Sequence, residues 1–403
     1  MKILFVGGTF DKCGGKESGI IRKITEHIKS NFHKYENMNV INGGNMEQLM
    51  FIGNDIKNID ILFWFPNIDN SENKILNHLK TINPKLYLIQ SKVNNGRYSV
   101  VDLIARALKS KANLLVEINQ NIQTENDKLG YIPNLKKEET SKEFLLTIHD
   151  PLANIYYEGT DYKDFTNAMI ERLDEIRIMT RKGSKSIGEK DINKVPNEKE
   201  FFNIVSSYGN KFHELTHAIN QERYLGNCSF RTYDFRCTFG FPSFKDKEGV
   251  IYVSKRNVDK RDISSKIFVP VVNNKDKIEY LGENPPSVDT PIQVELYKYF
   301  KNINYMIHSH VYIKDAKFTN KIIPCGSLEE IKEIVDLYKN DLLENFYAIN
   351  LKGHGSIVMS NNTEKLKKIK YVTRNFPEIQ FKQKYTRGDL PEFIKELFEV
   401  DKK

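Results

Sequence analysis

The sequence predicts two α/β units in one chain, and three observations lead to that prediction. Its 403 residues exceed what one compact core usually holds. Over the first 135 residues, continuous apolar segments of strand length alternate with helical segments. After Pro196 the pattern begins again with a long helix and further strands. We therefore expect an α/β domain over 1–135, an appendage and linker over 136–195, and a second α/β domain over 196–403.

The N-terminal domain is predicted to hold a parallel sheet. Its apolar segments are continuous rather than alternating, which is typical of strands covered on both faces. Because these strands alternate with helices, we expect a Rossmann-like or flavodoxin-like arrangement. The predicted strands are Lys2–Val6, Asp60–Phe65, Pro84–Ile89 and Ala112–Ile118, and the predicted helices are Ser18–Ser30 and Ser99–Lys109.

A glycine-rich loop follows the first predicted strand. Val6-Gly-Gly-Thr-Phe-Asp11 resembles the start of nucleotidyltransferases, but the His-x-Gly-His that follows in those proteins is absent. Gly15-Lys16-Glu17 does not meet the Walker A pattern either. Two interpretations stay open. The loop presents N–H groups to a phosphate, with Lys16 and Ser18 contributing, or it is a tight turn that only helps the sheet to assemble.

The segment 136–195 is predicted to connect the two domains. It contains a short strand over Phe144–Ile148 and a helix over Tyr162–Arg181. Gly183–Asp191 is small and polar, so we expect a linker there. The second domain then begins with a helix over Glu198–Glu222, and its predicted strands are Cys228–Phe235, Gly249–Ser254, Ile303–His308 and Phe346–Asn350.

Composition narrows the possible partners and compartments. The net charge is +8, yet 61 basic residues are interleaved with 53 acidic ones, which favours a solvated surface over a nucleic-acid partner. No apolar run approaches the roughly 18 residues of a membrane span. The four cysteines have no paired spacing, which is typical of a reducing compartment. We expect a cytoplasmic protein that binds neither nucleic acid nor membrane.

Three histidines form a candidate metal site. His308 and His310 lie two residues apart in a β-prone segment, so both side chains would share one face of a strand. His354 stands between two glycines on a predicted turn. A single histidine is more often a hydrogen-bonded core residue, but three in this arrangement favour metal. Imidazole nitrogens suit zinc, and an open fourth position would make the site catalytic rather than structural.

Five motifs follow one another in the C-terminal half. They are Gly226-Asn227-Cys-Ser229-Phe-Arg231, Pro286-Ser287-Val-Asp289-Thr-Pro291-Ile-Gln293, Met306-Ile-His308-Ser-His310, Ile323-Pro324 and Leu351-Lys-Gly-His354-Gly355. In order and spacing they resemble the class II aldolase/adducin superfamily, which includes fuculose-phosphate aldolase and ribulose-phosphate 4-epimerase. The resemblance implies a class II aldolase-like α/β/α domain with a mostly antiparallel central sheet. It also implies a homotetramer with active sites near subunit boundaries.

The resemblance further implies a lyase that cleaves or forms a C–C bond in a small phosphorylated sugar or sugar-derived metabolite through an enediolate. One Zn²⁺ per chain would be bound by His308, His310 and His354, and Asp289 would move a proton or serve as a fourth ligand. Alone, Asp289 is more often a helix N-cap before Thr290-Pro291. The residues implied in binding substrate phosphate are Asn227, Ser229, Ser254, Lys255 and Ser287.

Departures from the family pattern leave alternatives open. Lys255 and Arg256 stand where the family usually has Pro and Ser, which indicates either a larger or more anionic substrate group or a solvated surface. Gln293 replaces a histidine that is normally not a metal ligand, and no counterpart of the epimerase's general-acid tyrosine is identified. A 4-epimerase that uses the same site and a non-catalytic metabolite-binding protein are the alternatives to the aldolase.

A second zinc motif competes with the first. His213-Glu214-Leu-Thr-His217 matches the His-Glu-x-x-His helix of zinc proteases, in which the two histidines share a helix face and the glutamate is the general base. The pattern specifies only three residues, and no third ligand follows closely. The competing interpretation is an ordinary, partly exposed helix face, which we favour.

Overall fold

The chain divides into two compact units, one of which holds Met1–Glu175 while the other begins at Ile176. The computed structural model describes residues 1–68, 72–94, 110–119, 145–149, 155–188, 195–219, 224–233, 249–321, 323–352 and 354–372. The predicted helix over Ser99–Lys109 lies outside these residues. Within them, no helix is long and apolar enough to cross a membrane.

The first unit is built on a largely parallel sheet. Its strands are β1 (Ile3–Asp11), β2 (Asn39–Asn45), β3 (Ile61–Asn67), β4 (Tyr87–Asn94), β5 (Leu114–Asn119), β6 (Leu145–His149) and β7 (Ile155–Gly159). The described helices are α1 (Gly19–Asn31), α2 (Met46–Asp55), α3 (Glu72–Ile82) and α4 (Tyr162–Ile178). The strand order is β2-β1-β3-β4-β5-β6-β7, parallel from β2 to β5 and antiparallel beyond. The first five strands thus have the order of flavodoxin-like folds, as predicted.

Central strands of this sheet are apolar on both faces because both faces are covered. Ile3–Val6 of β1 and Ile61–Phe65 of β3 are buried without interruption. The rings of Phe5 and Phe63 stack with centroids 5.0 Å apart, and Phe65 lies 4.8 Å from Phe5. This burial explains why the strands read as unbroken apolar runs in the sequence.

The loop after β1 is held by its own hydrogen bonds. Thr9 N donates to the Lys16 carbonyl over 3.0 Å, and Lys16 N donates to Thr9 Oγ1 over 2.7 Å. Ser18 N donates to the side chain of Asn42 in β2 over 3.0 Å. These three N–H groups are therefore engaged within the protein, which favours the tight-turn interpretation. A ligand-binding role for the Lys16 and Ser18 side chains stays a prediction.

The second unit is built on a mostly antiparallel sheet. Its strands are β8 (Gly183–Ser186), β9 (Asn227–Thr232), β10 (Val250–Ser254), β11 (Phe268–Asn274), β12 (Lys277–Tyr280), β13 (Tyr305–Ser309), β14 (Tyr312–Ile313), β15 (Lys317–Phe318), β16 (Phe346–Leu351), β17 (Gly355–Ser360) and β18 (Tyr371–Val372). Its described helices are α5 (Lys199–Ile219), α6 (Thr290–Tyr299), α7 (Glu329–Leu337) and α8 (Thr363–Leu366). The main sheet has the order β15-β16-β17-β13-β9-β10-β11-β12-β8, and β14 pairs with β18 separately. The predicted fold class, two α/β units with one parallel and one mostly antiparallel sheet, is confirmed.

Strand β13 separates the two main cores of this unit. It is antiparallel to β17 on one side and to β9 on the other. Ile307 belongs to the core that includes α5, whereas Met306 belongs to the core formed with α6 and α7. Since strand side chains alternate, His308 lies on the same face as Met306 and is directed towards α6 and α7.

The prediction of a linker over Gly183–Asp191 is wrong for Gly183–Ser186. Gly183–Ser186 form β8, which pairs in parallel with β12, with Gly183 opposite Lys277 and Ser186 opposite Tyr280. All four residues of β8 are exposed. The strand is held by backbone hydrogen bonds at the sheet edge, so its side chains carry no apolar pattern from which it could be predicted.

Phe63→Ala is expected to destabilise the first unit by about 3–5 kcal/mol, because the buried ring leaves a cavity behind. Trp64 is the only tryptophan of the sequence and is buried in the same strand. The urea midpoint of its fluorescence change therefore measures the effect. Phe318→Ala, at a side chain 47% exposed, is the matched control and should leave the midpoint unchanged. Equal midpoints for the two variants would contradict this packing.

Candidate metal centre

Three histidines converge in the second unit, as the sequence predicts. One potential ligand atom from each of His308, His310 and His354 lies within 4.8 Å of the others, and their ring centroids are 4.7–5.1 Å apart. The residues are only 3%, 5% and 2% exposed. The cluster is thus buried and compact enough to hold one metal ion.

Glycines allow the neighbouring chain segments to approach β13. Gly226, before β9, has φ +76°, and a Cβ there would meet the His308 carbonyl oxygen at 2.6 Å. A Cβ on Gly355, after His354, would meet the Ser309 carbonyl oxygen at 2.0 Å. Any larger residue would push these segments away from β13. The glycines of the two motifs therefore fix the spacing of the site.

His308 is oriented by a backbone carbonyl. Its Nδ1 donates to the Ser356 oxygen over 2.9 Å, which fixes the tautomer and leaves Nε2 with the lone pair. Nε2 is buried, has no hydrogen-bond partner among the described residues, and lies 3.6 Å from Asp289 Oδ2. Burial, assisted by the neighbouring His354, lowers the pKa of His308 to about 4. A neutral imidazole with a buried lone pair is the form that binds metal.

His354 is oriented by a carboxylate. Its Nδ1 lies 2.8 Å from Glu330 Oε1 in the first turn of α7, and Glu330 is 4% exposed. Burial opposes protonation of the ring, but the Glu330 carboxylate raises the pKa of His354 well above its usual value. Histidine ligands commonly donate their second ring nitrogen to such a carboxylate, which fixes the ring and increases its basicity. Glu330 was not predicted from the sequence.

Asp289 directs its carboxylate into the site rather than towards the helix backbone. It occupies the N-cap position of α6, but its side chain makes no capping hydrogen bond. Oδ2 accepts from Asn227 Nδ2 over 3.2 Å, and Oδ1 accepts from Cys325 Sγ over 3.3 Å. The carboxylate is thus held by side-chain donors beside His308, where it could bind metal or move a proton.

Cys325 is a second residue that the sequence did not predict. Asp289, Cys325 and His354 form another group whose potential ligand atoms lie within 4.8 Å of one another. Burial raises the pKa of the Cys325 thiol to about 11. The signal that could have identified it is its position directly after the Ile323-Pro324 motif.

The predicted phosphate-binding residues are engaged within the protein. Asn227 Nδ2 donates to Ser287 Oγ over 2.9 Å. Ser229 Oγ lies 3.1 Å from the Tyr297 hydroxyl, and Ser254 Oγ accepts from Cys228 N over 3.1 Å; both serines are fully buried. Lys255 Nζ donates to the Lys266 carbonyl over 2.8 Å. Their role in phosphate binding stays a prediction.

The competing zinc motif begins on a core histidine. His213 is 1% exposed, and its Nε2 accepts from Lys260 N over 3.0 Å. A nitrogen that accepts a backbone N–H has no lone pair left for a metal. The part of the chain that the structure describes does not include the side chains of Glu214 and His217. His213 is therefore a packed helix residue, and the predicted partial exposure of this helix face is wrong at His213.

The donors fit zinc. Three buried imidazoles form a nitrogen-rich set, and the carboxylate of Asp289 and the thiol of Cys325 stand beside them. Zinc accepts nitrogen, oxygen and sulfur ligands in four-coordinate sites. The buried Nε2 of His308, which has no hydrogen bond in the described part of the chain, is the observation that a bound cation would explain.

Comparisons with known proteins give partial structural likenesses only. No family model matches the chain, and no curated protein matches its sequence. YgbL from Escherichia coli, a putative aldolase/epimerase/decarboxylase, is similar over 45% of this chain and 97% of its own, with 15% identity and a TM-score of 0.28. L-fuculose-1-phosphate aldolase from Thermus thermophilus is similar over 42% of this chain and 83% of its own, with 15% identity and a TM-score of 0.26.

Another likeness is to the DNA/pantothenate metabolism flavoprotein from Streptococcus pneumoniae. It extends over 43% of this chain and 98% of that one, with 12% identity and a TM-score of 0.32. All these likenesses are low in identity and in TM-score.

His308→Ala is expected to lose bound zinc, because it removes one of three converging ligands. The metal content of purified protein, reconstituted with zinc and measured by elemental analysis, checks this. His33→Ala removes an exposed histidine and should keep the metal. Glu214→Gln/His217→Ala should keep it as well, and loss of zinc from that variant alone would move the metal site to the helix motif.

Glu330→Gln is expected to weaken zinc affinity by about 10–100-fold, since a neutral amide accepts the His354 N–H less strongly than a carboxylate does. Competition with a chromophoric chelator measures the affinity. Glu344→Gln, at an exposed glutamate, is the matched control. If both variants bind zinc as tightly as the wild type, Glu330 does not support the metal ligand.

Proposed function

We propose that the second unit is a zinc-dependent aldolase that cleaves or forms a C–C bond in a small phosphorylated sugar or sugar-derived metabolite. The observation that carries this proposal is the convergence of three buried histidines with a carboxylate. Asp289 Oδ2 lies 3.6 Å from Nε2 of His308, so a candidate metal ligand and a proton-moving group are neighbours. The five sequence motifs of the aldolase/adducin pattern support the same assignment.

Each residue has a distinct task in the proposed reaction. Zinc, when bound by His308, His310 and His354, would supply Lewis-acid stabilisation of negative charge beside a carbonyl. Asp289 takes a proton from a substrate hydroxyl on cleavage and returns it on C–C bond formation. Asn227 and Cys325 donate to the carboxylate and keep it directed into the site.

The activity is tested with a panel of phosphorylated ketoses, with the released aldehyde trapped chemically. Release of an aldehyde by the zinc-loaded protein is the expected result. Conversion into a stereoisomer without a free aldehyde would instead indicate the 4-epimerase. Tight binding of a sugar phosphate that remains unchanged for hours would indicate the non-catalytic binding protein.

Asp289→Asn is expected to lower kcat by at least about 100-fold, because the amide cannot accept a proton, while zinc content is retained. Cleavage rate and elemental analysis are measured on the same preparation. Asp315→Asn is the matched control, since that aspartate is exposed and its φ of 62° is one that asparagine tolerates. Undiminished activity in Asp289→Asn would remove Asp289 from the mechanism.

A further inference from the structure

A cavity of about 290 Å³ lies beside the metal centre in the second unit. Its wall includes Ser287 and Cys325, both of which contact Asp289: Cys325 Sγ donates to Oδ1 over 3.3 Å, and Ser287 Oγ lies 3.5 Å from Oδ2. The volume is close to the lower limit of about 300–1,000 Å³ for ligand pockets, which suits a small metabolite. A small ligand in this cavity would therefore lie next to the carboxylate that is proposed to move the proton.

The lining is positively charged. It contains Arg181, Lys182 and Arg256, and none of the described residues that line the cavity is acidic. Lys182 Nζ donates to Asn273 Oδ1. Within the described part of the chain, the guanidinium groups of Arg181 and Arg256 make no hydrogen bond or salt bridge. Guanidinium groups donate paired hydrogen bonds to phosphate and carboxylate groups, so these two are suited to an oxyanion.

The backbone beside these charges is fixed at two places. Arg181 and Lys182 directly precede β8, whose pairing with β12 positions them at the sheet edge. Arg256 N donates to the Pro285 carbonyl over 2.9 Å, which ties the loop after β10 to the segment that carries Ser287. Glu329 interacts electrostatically with Arg181, and its Oε1 already accepts from Thr180 N over 2.9 Å. The cations are therefore presented by anchored backbone on both sides of the cavity.

We infer that this cavity binds an oxyanion group of the substrate, a phosphate or a carboxylate, through Arg181, Lys182 and Arg256. This inference rests on the proposed function, because it names the anionic end of the same substrate. Arg181 and Lys182 precede the aldolase-like motifs in the chain, so the segment directly before β8 contributes to substrate selection. The side chains of Asn227, Ser229 and Ser254 are meanwhile engaged within the protein.

The test is calorimetric titration of the zinc-loaded protein with inorganic phosphate and, separately, with malonate at constant ionic strength. Arg181→Met/Arg256→Met keeps the apolar stems and removes both charges. It should weaken binding of the preferred anion by at least about tenfold, or about 1.4 kcal/mol. Arg22→Met/Lys314→Met removes the same number of exposed charges elsewhere and should bind as the wild type does. Preference for phosphate or for malonate identifies the oxyanion.

Three results would overturn the inference. The first is that the wild type binds neither anion, and the second is that the two double variants lose affinity equally. The third is that anion binding is lost when zinc is removed but is unaffected by the arginine substitutions, which would place the anion on the metal. Zinc content and aldehyde release are measured in parallel. A protein that retains zinc and cleaves substrate but fails the titration refutes this inference alone, and one that binds the anion without turnover refutes only the proposed function.

Discussion

The position of β13 between β9 and β17 is the constraint on which the rest of the second unit depends. A strand paired on both sides cannot change register by one residue without turning every side chain to the opposite face. Ile307 and Met306 fill separate cores, and this fixes the face on which His308 is buried. Burial of imidazoles is unfavourable without partners, so the Ser356 carbonyl and the Glu330 carboxylate are as necessary as the histidines themselves.

The convergence of the three histidines could be predicted from the sequence because their spacing reflects local structure. A period of two places His308 and His310 on one face, and a glycine after His354 marks a turn. Glu330 and Cys325 could not be found in this way, since α7 and the loop before it reach the site only through the sheet topology. Strand β8 was not predicted for another reason. It is polar and exposed, and backbone hydrogen bonds to β12 hold it in the sheet. Periodicity thus predicts which face a residue occupies, but not which distant segment covers that face.

Some residues of the sequence motifs stabilise the fold through their own hydrogen bonds. The presence of such a motif is therefore not sufficient to identify a ligand. Arg231, in the Gly-Asn-x-Ser-x-Arg motif, is 7% exposed, and its guanidinium donates to the carbonyls of Tyr297 over 3.0 Å and Ile303 over 2.6 Å. It thereby joins the end of α6 to the start of β13. Asn227 likewise connects Ser287 with Asp289. These contacts account for the motif without a bound phosphate, whereas in the described part of the chain the guanidinium groups of Arg181 and Arg256 make no comparable contact.

Strand β8 also determines how the main sheet ends. Without it, β12 would present unpaired backbone groups to other molecules, the usual starting point of intermolecular strand addition and aggregation. The sequence of β8 is Gly-Ser-Lys-Ser, short, polar and positively charged, and the opposite end of the sheet is the two-residue strand β15. Both ends are therefore poor templates for another chain. The sequence predicts a domain boundary at residue 196. A fragment that begins there would lack β8, so the edge of β12 would be unpaired and one wall of the cavity would be missing.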